Sequence, residues 1–99
     1  MENRDNTRYS HLLVPLGQVT VTPAALREFY QSDSGLLGLL DWHRAGKWGG
    51  AVKDYESMND QALRDGGTVV SIYEIGPKTQ VIVRTTIQAS TRISLLEED

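Results

Sequence analysis

The string Trp42-His43-Arg44-Ala45-Gly46-Lys47-Trp48-Gly49-Gly50 gathers both tryptophans, one of the two histidines and two cations with Arg44 and Lys47. An imidazole titrates near neutrality, so His43 can serve as a general acid or base, with Arg44 or Lys47 holding a phosphate. Trp48 can stack on a base or anchor a protein partner. The same string also reads as a helix C-terminus, its cations answering the helix dipole and its tryptophan closing the core. That structural reading is preferred. Asn59 comes next, because helical spacing puts it on a stripe with Tyr55, Ala62 and Leu63. A buried amide needs hydrogen-bond partners. It either ties its helix to the Trp48-Gly49 loop backbone, the preferred reading, or orients His43. On the later strands Arg84, Thr86 and Arg92 can point away from the core, where such side chains bind phosphate or protein but are ordinarily just solvated.

Other chemistry is excluded by what is missing. The 99 residues contain no cysteine, and the histidines His11 and His43 are far apart, which leaves no metal set and no cysteine nucleophile. No GxxxxGK[ST], GxGxxG or GxSxG string occurs, so no cofactor is implied. A net charge of −3 argues against nucleic acid as the partner. No apolar run approaches the ~20 residues of a membrane span, and residues 1–10 lack a signal-peptide core; a cytoplasmic location is expected.

The elements that must position these residues follow from periodicity. Residues 1–10 are polar and read as a frayed, disordered tail ahead of a single domain over 11–99. Residues 16–21 have strand composition. Thr22-Pro23 then starts a helix with Leu26, Phe29 and Tyr30 on its apolar face. The segment 32–35 offers a second N-cap, followed by Leu36, Leu37, Leu40 and His43 at helical spacing up to Gly46. A third helix is predicted over 53–64. After Gly66-Gly67 the period becomes alternating, giving strands over 68–75, 79–87 and 91–96, the first two joined by Gly76-Pro77-Lys78. In the middle strand Val81, Val83, Thr85 and Ile87 share one face, opposite Gln80, Ile82, Arg84 and Thr86. The expectation is a two-layer α+β domain, short helices on a half-solvated antiparallel meander of three to four strands.

With these residues in place, the chain resembles a family of small, largely uncharacterised proteins carried by bacterial plasmids, integrated elements and phages. The family's H-x-x-G-[DN]-W-G string is matched by His43, Gly46, Trp48 and Gly49, with Leu16 to Val19 and Thr22-Pro23 before it. Asn59, Gly66, Ser71 and Tyr73 follow in the family's order. The departures are informative. Lys47 replaces an acidic residue, and Thr86, Gln88 and Ala89 stand where the family's closing strand shows Glu, Asp and Arg; its paired threonines fall at Arg92 and Ile93. Lost polar residues are easier to reconcile with a surface than with a catalytic set.

The resemblance implies an accessory protein of a mobile element that works by binding a host or element-encoded protein, with inhibition of a host defence complex as one form. Its expected anchors are Trp48, Tyr73, Arg84 and Arg92. The alternative is a metal-independent, barnase-like ribonuclease with His43 as acid or base, Lys47 and Arg84 (or Arg92) on the phosphate, and Asn59 orienting. A self-associating homodimer without catalysis is the third reading.

Overall fold

The computed structural model describes residues 14–32, 35–87 and 90–98, and the tail expected over 1–10 lies outside them. Strand β1 (Gln18–Val21) leads into helices α1 (Pro23–Gln31), α2 (Leu36–Arg44) and α3 (Val52–Asp65). Strands β2 (Thr68–Gly76), β3 (Thr79–Thr86) and β4 (Ser90–Leu95) follow, then a 3₁₀ turn, Leu96–Glu98. The architecture is α+β: three helices against one four-stranded sheet in the order β1-β4-β3-β2. Here β2, β3 and β4 form the antiparallel meander, but β1 pairs with β4 in parallel, so the sheet is mixed. Parallel neighbours require a long crossover, and the three helices together with the β2-β3 hairpin supply it. None of the helices is long and apolar enough to cross a membrane among the described residues.

Thr22 and Pro23 begin α1 as their types predict: the Thr22 hydroxyl accepts from Ala25 N–H at 3.2 Å. The hydroxyl donates in turn to the Glu98 carboxylate at 2.7 Å, whose same oxygen accepts from Leu95 N–H at 2.8 Å. These two bonds, with the nearby Arg92 charge, hold the Glu98 carboxyl below its ordinary range. The C-terminal turn is thereby latched to the start of α1.

Both short helices bury a face slightly rotated from the expected one. In α1 the inward residues are Ala25 and Phe29, while Leu26 is 38% and Tyr30 81% exposed; in α2 Leu39 joins Leu40 and His43, and Leu37 is 76% exposed. At nine residues each, tertiary docking rather than an autonomous stripe selects the face. The second helix is preceded by Gly35 and has no side-chain cap.

One face of the sheet, through Tyr73, Ile75, Val81, Val83, Ile93 and Leu95, packs on Ala25, Phe29, Leu39 and Leu40 of α1 and α2. A second cluster joins Trp48, Ala51 and Ala62 to Val69, Val70 and Ile82. Val69 belongs to one sheet face, Val70 and Ile82 to the other, so this cluster wraps the β2 edge. The second sheet face is consequently not simply solvated: Val70, Ile82 and Ser94 are buried there.

Gly49 locks the loop before α3 against that edge. Its φ is +63°, and a Cβ there would lie 2.2 Å from the Ile72 carbonyl oxygen and 2.8 Å from the Tyr73 ring. At Gly50 the nearest atom would be 3.5 Å away. Gly49→Ala is expected to cost about 2 to 4 kcal/mol and lower Tm by at least about 8 °C, as steric conflict with backbone does. Gly50→Ala, measured by the same thermal unfolding, is expected to change Tm far less.

Candidate functional site

The outer edge of β2 explains where several conspicuous residues go. Asn59, fully buried on α3, uses its amide as a missing strand residue: Nδ2–H donates to Val70 C=O and Oδ1 accepts from Val70 N–H, both at 2.8 Å. Two residues on, Ile72 N–H donates to Trp48 C=O at 3.0 Å and Gly50 N–H donates to Ile72 C=O at 2.7 Å. Asn59 therefore serves the strand edge, neither the Trp48-Gly49 loop nor His43 as expected from sequence. An amide is required because only Asn or Gln offers a donor and an acceptor side by side.

His43 sits at the centre of a buried polar chain. The order of its protons is fixed by the carbonyl at one end. Thr91 Oγ1–H donates to Leu16 C=O at 2.7 Å, so Thr91 must accept from Thr85, also at 2.7 Å. With its proton so committed, Thr85 accepts from His43 Nε2–H at 2.9 Å. The neutral ring then has a lone pair on Nδ1, which accepts from Ser71 Oγ–H at 2.6 Å. Burial without a facing carboxylate pushes the imidazole pKa down to about 4. A serine hydroxyl donating to an imidazole has the form of a nucleophile and its base. Ser71, His43 and Thr85 are all 0% exposed, however, and no substrate reaches them. The chain pins α2 to the sheet.

The remaining sequence candidates separate. Trp48 is 5% exposed and meets the His43 ring edge-on at 5.9 Å; Tyr73 is 6% exposed and donates its hydroxyl proton to Lys47 C=O. Burial pushes the Tyr73 phenol up to about 12. Both aromatic rings expected as anchors are thus committed to the interior. Arg84 and Arg92 face each other across β3 and β4, on the side of the sheet away from His43, and each is already engaged. Lys47 is exposed. The ribonuclease set of His43, Lys47, Asn59 and Arg84 does not converge on one cleft. Among the described residues no group of three His, Cys, Asp or Glu side chains could hold a metal.

The surface feature the sequence analysis passed over is Trp42, 56% exposed and tilted at 58° against the Tyr73 ring, the centroids 5.8 Å apart. Two clefts meet at it. One of about 280 Å³ runs along Gly35, Gly38, Leu39 and Ile75; the other, about 400 Å³, runs along Gly49, Gly50, Ile72 and Gln80. Tyr73 and Glu74 line both. A signal existed: with Leu39, Leu40 and His43 inward, Trp42 shares its flank with Gly38 and Gly35, four and seven residues earlier, which carry no side chain to cover it. Searches against protein-family models, curated proteins and solved structures find no match to this chain.

His43 supplies a pH test with a defined sign. The folded state holds its pKa near 4 against 6.5 ordinarily, so between those values the unfolded chain binds more protons and stability rises with pH, by about 3 kcal/mol in all. Urea unfolding is expected to show the loss as pH falls from 6.5 toward 4, and ring nitrogen shifts are expected to report the neutral Nε2–H tautomer. Flat stability between pH 6.5 and 5 would contradict this environment for the imidazole.

Proposed function

We propose that this chain is a protein-binding module that acts without catalysis, and that its partner docks over Trp42. The observation that carries the reading is the contrast between the two tryptophans: Trp48 is 5% exposed, while Trp42 is 56% exposed between two clefts beside a strand edge. Exposed tryptophan flanked by concave surface is the side chain most enriched where binding energy concentrates. The polar groups capable of acid–base work are enclosed and mutually satisfied, which removes the usual basis for an active site. The resemblance to plasmid and phage proteins supports a cytoplasmic accessory role toward a host or element-encoded protein, a defence complex being the form we favour.

Trp42→Ala isolates this role, because the ring is mostly exposed and its removal costs the fold about 1 kcal/mol through the Tyr73 contact. Tagged wild-type and Trp42→Ala chains are compared by affinity capture from the natural host. The expected result is one stoichiometric protein retained by the wild type and lost from a variant whose circular dichroism is unchanged. Equal retention by both, or recovery of shortened RNA alone, would overturn the reading.

A further inference from the structure

Resting on that reading, we propose that the Trp42 groove takes an extended segment of the partner that pairs with the β2 edge at Glu74, unpaired among the described residues, and sets a lysine or arginine against the Glu74 carboxylate on one sheet face while a neighbouring residue covers the Trp42 indole on the other. The edge itself supports pairing. Alternation along β2 turns the main-chain groups of Val70 and Ile72 outward, where Asn59 and the Trp48–Gly50 segment meet them. The same parity turns Glu74 N–H and C=O outward, since the register with β3 is unbroken from Ile72 to Glu74 and shifts only beyond it. An edge strand with outward donor and acceptor is the template onto which an extended peptide adds.

Charge selects the occupant. Among the described residues Glu74 is the sole charged one lining either cleft at Trp42, and a third cleft that continues along Ile75 and Gly76 adds Glu28. A basic side chain gains a carboxylate on the Glu74 face, and on the Trp42 face it gains an indole, the aromatic ring that attracts cations best. An acidic segment would meet like charge at Glu74. The wall opposite is unusually bare: a Cβ added at Gly35 or Gly38 would find nothing within 4 Å, leaving room for a peptide main chain beside α2. Tyr73 is too buried to close an aromatic cage, which favours a long basic side chain lying along one indole face over an enclosed quaternary ammonium.

The test uses a random peptide library displayed on phage and panned on the full chain, with counter-selection on Trp42→Ala. Enriched sequences are expected to carry lysine or arginine. A synthetic peptide from the pool is expected to shift the Glu74 amide and Trp42 indole resonances, bind more weakly as salt rises, and lose about threefold to fivefold in affinity to Glu74→Gln. Enriched peptides that require Trp42 but lack basic residues, or that ignore Glu74→Gln, would overturn the basic-segment inference while leaving the groove as the docking site. Peptides indifferent to Trp42, or no enrichment at all, would overturn both.

Discussion

A strand at the edge of a sheet exposes a row of main-chain donors and acceptors that something must satisfy, and β2 occupies that position here. The chain closes most of this edge with its own material. Asn59 answers Val70, and the loop carrying Trp48 and Gly50 answers Ile72. Much of the remaining structure follows from those four hydrogen bonds. They fix where α3 lies, they require a glycine at position 49, and they bring Trp48 against the ring of His43. They also stop short of Glu74, and the clefts beside Trp42 begin where the closure ends.

Inside the domain the same economy applies to polar groups. Ser71, Thr85 and Thr91 sit on the sheet face that packs against α1 and α2, where hydroxyls without partners would cost about 1 to 3 kcal/mol each. A single neutral imidazole links two of them, and a main-chain carbonyl orients the whole chain. The helix end that looks reactive in sequence is thus a joint between α2 and the sheet. Reactive-looking residues that are wholly enclosed contribute to shape, and shape is what a binding protein presents.

Sequence periodicity revealed the order of elements, the capped start of α1 and the buried position of Asn59, because each depends on local spacing or on a residue with few structural alternatives. The α3 stripe held for the same reason: fourteen residues suffice to define a face. The faces of α1 and α2 were legible only in part: Phe29, Leu40 and His43 point inward as expected but Leu26, Tyr30 and Leu37 do not, since nine-residue helices turn to suit the strands they meet. Nor was the parallel pairing of β1, which depends on a contact between residues some seventy positions apart, such as Val19 with Thr91. Of the two tryptophans in one short string, the sequence pointed to Trp48 as the anchor. Which of them is exposed depends on the edge closure, a tertiary event.

Amide hydrogen exchange along β2 tests the central claim of a half-closed edge most directly. The outward N–H groups of Val70 and Ile72 are bonded to Asn59 and Trp48, so both are expected to exchange slowly, near the rate set by global unfolding. Glu74 N–H, outward on the same strand, is expected to exchange orders of magnitude faster and to slow when a peptide binds. Equal protection of Glu74 in the free protein, or fast exchange at Val70 and Ile72, would contradict the account.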